Sequence, residues 1–173
     1  NKDKKTCEFI ARNEFTKENM TVEAKSRHRQ GILHFPKDKK QIKTLKLGVS
    51  RMLNQALDQR PEDKIPYIIF IDINMKPVEG IFFDKKEWVE DLNRALDNTG
   101  EIDINNPQDF NVLFITNYSY HYSEFDEIDT SIYSKNMVNV VPRFIRNPFK
   151  NPNTFINLKD TIDHYGQVPH LWN

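Results

Sequence analysis

Two carboxylates and one amine, Glu8, Glu23 and Lys25, are the residues of this 173-residue chain whose types and spacing can do chemistry together. Two carboxylates supply hard oxygen ligands for Mg²⁺, a cation that keeps several of its waters and also binds phosphate oxygens. A metal held there lowers the pKa of a bound water and neutralises charge developing on a phosphorus centre, alone or with a second ion. An ammonium beside it orients or helps deprotonate the attacking water, and adds positive charge where a transition state needs it.

The triplet Glu23-Ala24-Lys25 is informative only in its context. An acid, any residue, then Lys also occurs at Asp3 to Lys5, Asp38 to Lys40, Glu62 to Lys64 and Asp84 to Lys86, so the bare pattern is near chance. Those four fall in charged turns, at the terminus or at a helix start, whereas Met20 to Ser26 reads as a strand. Strand side chains alternate, so Glu23 and Lys25 share one face and Val22 and Ala24 the other. Thr6 to Arg12 reads as the preceding strand, with Cys7, Phe9 and Ala11 on one face and Glu8 on the opposite one. Pairing the two strands as antiparallel neighbours across the polar stretch Asn13 to Asn19 turns both apolar faces to the core. Both polar faces then coincide. The bland alternative is a surface salt-bridge cluster on an unrelated α/β protein, a contact worth only about 0 to 1 kcal/mol.

The elements that must hold these residues follow along the chain. Gly31 to Phe35 reads as a short strand closed by Pro36. Gln41 to Gln59 has Ile42, Leu45, Val49, Met52, Leu53 and Ala56 at helical spacing, with Asp38 as a candidate cap and Pro61 just beyond its end. Pro66 to Ile73 is nearly continuous in apolar and β-branched residues, the pattern of a central strand buried on both faces. Asp84 to Asp97 reads as a second helix capped by Asp84, with Trp88, Leu92 and Ala95 or Leu96 turned inward. Phe110 to Asn117 is a further buried strand, Met137 to Val141 an edge strand ended by Pro142, and Thr154 to Tyr165 a last helix stopping at Gly166. Strands alternating with helices predict an α/β layout.

The composition bounds the class. A chain of this length, 38% hydrophobic, suffices for one domain with a real core. A single cysteine, Cys7, excludes an internal disulfide and a cysteine-rich zinc site, and favours a reducing, cytoplasmic setting. No run of roughly 18 apolar residues occurs, so no membrane span is expected. The formal net charge is zero, but the charges are segregated. From Ala24 to Lys46 the cations Lys25, Arg27, Arg29, Lys37, Lys39, Lys40, Lys43 and Lys46 face only Asp38, while Asp84 to Asp129 is strongly acidic. Such a molecule can turn a basic face to phosphates, although two solvated faces explain the pattern equally well.

With these residues in view, Cys7-Glu8-Phe9 followed by Glu23-Ala24-Lys25 resembles the paired motif of the PD-(D/E)xK nuclease superfamily. The helix Gln41 to Gln59 and the strand Pro66 to Ile73 fall where that family has its core helix and next strand, so the resemblance covers roughly the first 75 residues. It implies a restriction endonuclease-like three-layer core, a central mixed β-sheet flanked by helices. It further implies a metal-dependent phosphodiesterase, with Glu8 and Glu23 as metal ligands, the Ala24 carbonyl as a third and Lys25 as the catalytic lysine. The cofactor would be Mg²⁺, with Mn²⁺ as its substitute. The substrate would be DNA, with RNA left open, in a restriction, repair or anti-phage setting, and the assembly a homodimer or larger. Cys7 stands where the family usually has Pro, and Glu8 where it usually has Asp. The family's helix ahead of the first motif strand has no counterpart, so 1–173 is expected to be a single restriction endonuclease-like domain, either a fragment lacking that helix or one with an incomplete site.

The basic exit Ser26-Arg27-His28-Arg29 is placed to hold phosphates beside a scissile bond, with Lys37 and Lys40 as further candidates. Gln41, Gly48 and Gln55 recur along the margin of the apolar helix stripe, which makes Gln55 a candidate substrate contact and, more commonly, a solvated side chain. Asp72 ends the buried strand, where a hydrogen-bonded structural Asp is the commoner case. Tyr118, Tyr120, His121 and Tyr122 could stack on bases or close a core. The runner-up function is a catalytically inactive domain of the same fold that binds nucleic acid or a protein partner.

Overall fold

An apolar strand such as Pro66 to Ile73 needs cover on both faces, and the computed structural model provides it. The structure describes residues 7–26, 48–60, 64–73, 87–97, 101–116 and 137–165. In chain order these hold β1 (Phe9–Arg12), β2 (Asn19–Ser26), α1 (Val49–Asp58), β3 (Tyr67–Asp72), α2 (Glu87–Asp97), β4 (Val112–Thr116), β5 (Met137–Val140) and α3 (Pro152–Tyr165). The strands form one mixed sheet in the order β1-β2-β3-β4-β5. The outer pairs β1/β2 and β4/β5 are antiparallel, while β2, β3 and β4 run parallel. Parallel neighbours require crossovers, and α1 and α2 supply them, so the class is α/β as the strand and helix alternation predicts.

Helices pack on both faces. On one, α1 and α2 bring Val49, Met52, Leu53, Ala56, Leu92 and Ala95 onto Tyr67, Ile69, Ile71, Leu113 and Ile115. On the other, Phe155, Leu158 and Ile162 of α3 cover Met20, Val22, Ile68, Val112 and Phe114. Phe70 and Phe114, partners in the β3/β4 register, stack with ring centroids 4.9 Å apart.

Polar groups close the end of the sheet where β3 begins. The Tyr67 amide donates to the Asn111 side-chain oxygen at 2.7 Å, and the Asn111 amide returns a bond to the Tyr67 carbonyl at 2.7 Å. Thr21 donates to the Pro66 carbonyl from both its amide and its hydroxyl, at 2.8 and 3.0 Å. These bonds fix the β2/β3 register, in which Glu23 lies beside Ile69 and Lys25 beside Ile71.

The differences from expectation lie mostly at boundaries. The described part of the first helix begins at Val49, next to Gly48 in the left-handed region at φ 67°. Its first amide, that of Val49, donates to Asp91 of α2 at 3.3 Å. The expected helical stretch 41–47, the caps Asp38 and Asp84, the strand Gly31 to Phe35 and the aromatic group from Tyr118 to Tyr122 lie outside the described residues. The predicted apolar face of Cys7, Phe9 and Ala11 is met only by Ala11, since Phe9 is 53% exposed at the sheet edge and Cys7 turns the other way. Phe9 and Ala11 pair with Val22 and Met20, but Cys7 packs against the α1/α2 cluster, because the chain bends at Glu8 before β1 begins.

Candidate active site

β2 is covered on both faces from Met20 to Glu23, and this decides how its polar residues behave. Met20 and Val22 point toward α3, so Thr21, Glu23 and Lys25 point toward α1 and α2. Glu23 is therefore no surface residue: it is 1% exposed, beneath α1. A carboxylate there needs partners to offset its lost hydration. Glu23 has two. Its Oε1 accepts from the Lys25 ammonium, and its Oε2 accepts the Glu8 backbone amide at 3.1 Å. Ala24, between them, turns its side chain to the exposed side.

The Glu8 contact follows from the strand pairing. Phe9 pairs with Val22, so one step further the antiparallel register sets Glu8 opposite Glu23. The bend at Glu8 turns its amide onto the Glu23 carboxylate, while the Glu8 side chain is exposed. The side chains of Glu23 and Lys25 thus meet as the sequence predicts, whereas Glu8 reaches them through its backbone amide and not through its carboxylate.

The wall of the site is the C-terminal end of α1. The Gln59 side-chain oxygen accepts a second hydrogen bond from the Lys25 ammonium. The Tyr67 hydroxyl donates to the Ala56 carbonyl at 2.7 Å, closing the same turn of the helix onto β3. Burial first, then the nearby Glu23 carboxylate and Cys7, pushes the Tyr67 phenol well above its ordinary value, so it stays neutral. The carbonyl end of α1 is also the negative end of its dipole, a favourable place for an ammonium.

The other candidates separate. Gln55 is exposed on α1, one turn before Gln59. Asp72 lies on the opposite sheet face from Lys25 and accepts from the Thr116 hydroxyl at 3.4 Å. Arg27, His28, Arg29, Lys37 and Lys40 lie outside the described residues. Gln59 was missed in the sequence although a signal existed. Positions 52, 56 and 59 continue the inward stripe of α1, and a polar residue at its last position faces the sheet.

The carboxylate held at this point is that of Glu23, while the Glu8 carboxylate is on an exposed side chain. Among the described residues there is no group of three or more His, Cys, Asp or Glu that could hold a metal ion, and no helix is long and apolar enough to cross a membrane. The chain matches no protein-family model, no curated protein and no solved structure.

Proposed function

We propose that this chain is a Mg²⁺-dependent nuclease acting on DNA, of the PD-(D/E)xK type. The observation that carries the reading is the burial of Glu23 against Lys25 on the sheet face under α1, with the Glu8 backbone amide bonded to the same carboxylate just ahead of the neighbouring strand. A buried ion pair is weak support for stability, since apolar residues of similar volume often do as well or better. Chemistry gives the pair a reason. The hairpin, the helix and the parallel strand that frame the pair follow the order in which the resembling family arranges its motif, and helices on both sheet faces agree with its layered core.

Carboxylate oxygens are donors that suit a hard cation. Each Glu23 oxygen accepts one hydrogen bond from the described residues and keeps a second lone pair. Glu8 and Glu23, with the Ala24 carbonyl, would hold Mg²⁺, which when bound supplies an acidified water and charge neutralisation at phosphorus. Lys25 offers three donors, of which Glu23 and Gln59 take two. The third is directed by these contacts and serves to orient the attacking water or a phosphate oxygen. Tyr67 and the end of α1 exclude solvent from the inner side of the carboxylate. The basic exit at Arg27, His28 and Arg29, with Lys37, Lys40 and Gln55, would contact the DNA backbone.

The test is cleavage of plasmid and single-stranded DNA with Mg²⁺ or Mn²⁺. Wild type is expected to cut, and Glu23→Ala and Lys25→Ala to be inactive. Metal-dependent cutting that survives both substitutions would place the activity elsewhere. A chain that binds DNA and cuts none with either metal would be the inactive domain of the same fold.

A further inference from the structure

We infer that Gln59 is the positioning residue for Lys25, an assignment that rests on the nuclease reading of the Glu8, Glu23 and Lys25 site. A lysine ammonium rides on a flexible four-carbon stem, and a single ion pair leaves it free to swing about its partner. Two acceptors on different elements define a direction. Here they are Glu23 on the same strand and Gln59 on α1.

The backbone beneath Gln59 is itself pinned. Its amide donates to the Ala56 carbonyl at 2.9 Å, and the next amide, of Arg60, donates to Leu57 at 3.3 Å, so the helix ends in a tightened turn. The Arg60 guanidinium then pairs with Asp109, which also pairs with Arg146. On the inner side the Tyr67 hydroxyl holds Ala56. Gln59 thus presents its amide oxygen from a fixed point.

The residue type matters as much as the place. Among the described residues Lys25 is the single cation beside the carboxylates of Glu8 and Glu23, so a further carboxylate at position 59 would add negative charge to the site and work against a phosphate. A neutral acceptor fixes the ammonium and leaves its charge available. Gln59 therefore acts through Lys25 without needing to touch the substrate.

The experiment uses the full chain and two readouts. One is the Lys25 ammonium signal in ¹⁵N-edited NMR, assigned by its loss in Lys25→Arg; the other is steady-state cleavage of a DNA duplex with Mg²⁺. Gln59→Met keeps the length and removes the acceptor. It is expected to lose the Lys25 signal to solvent exchange and to lower kcat about ten- to a hundredfold with KM unchanged. Gln59→Glu restores an acceptor and is expected to bring the Lys25 signal back. An unchanged signal in Gln59→Met, or a loss confined to KM, overturns the assignment. A wild type that cuts nothing while its Lys25 signal responds to Gln59→Met supports the Gln59 contact and removes the nuclease reading.

Discussion

Glu18 and Glu23 lie on either side of the start of β2, and their carboxylates do opposite work. Glu18 accepts the amides of Lys150 and Asn151 at 2.7 and 3.4 Å and the Thr154 hydroxyl at 2.6 Å, so it closes the N-terminal turn of α3. Its partners are neutral and fixed, and the positive end of the helix dipole suits its charge. Glu23 instead holds a full ammonium beneath a helix. A cap asks only for a well-placed acceptor, whereas a buried ion pair carries a desolvation cost that stability alone does not repay. The contrast separates a carboxylate that builds the fold from one that the fold is built to hold.

The largest effect expected is for Glu23→Ala, which leaves Lys25 without its carboxylate and should cost about 3 to 5 kcal/mol in urea unfolding. Little loss there would mean that solvent already compensates the ammonium, and the contrast would dissolve. Glu18→Ala should cost about 1 to 2 kcal/mol, the range for removing a helix cap, with metal-dependent cleavage per folded molecule unchanged. A fall in cleavage would tie α3 to the chemistry. Tyr67→Phe should cost about 1 kcal/mol for the lost bond to Ala56. Because the folded-state value of Tyr67 is raised, its contribution is complete below about pH 10 and is lost as the pH climbs through that raised value. Tyr67→Phe should accordingly flatten the alkaline loss of stability, which denaturant titrations between about pH 8 and 11 would measure. The smallest effect belongs to the double variant Glu23→Met with Lys25→Met, which should unfold at or slightly above the wild-type midpoint while cutting no DNA. A double variant as unstable as Glu23→Ala would make the pair architectural.

Much of this arrangement was legible because periodicity reports faces. The apolar runs of β3 and β4 and the inward stripe of α1 could be read directly, and the alternation in β2 put Glu23 and Lys25 together. What could not be read was that both faces of β2 are covered from Met20 to Glu23. Thr21, Glu23 and Lys25 look like a solvent face, and only the long-range packing of α1 makes Glu23 a buried group. The Cys7 alternation failed for a related reason: a bend at Glu8, stabilised by the side chain of Glu23, has no local sequence signature. The bond between Gln59 and Lys25 is likewise tertiary, joining the end of a helix to a strand residue 34 positions earlier in the chain.

The clamp between Glu18 and α3 has a consequence for how the chain is made. α3 is the last of the described elements and, with Phe149 just ahead of it, brings Phe155, Leu158 and Ile162 over Met20, Val22, Ile68 and Phe114. On a ribosome, β2, β3 and β4 emerge before α3 can cover that face, and an exposed apolar sheet face is what invites aggregation and chaperone binding. Thr154 then meets Glu18 across a separation of 136 residues, a contact that can form only after nearly everything between them exists. The cover of that sheet face is therefore completed late, by a helix that packs on the side of the sheet opposite Glu23.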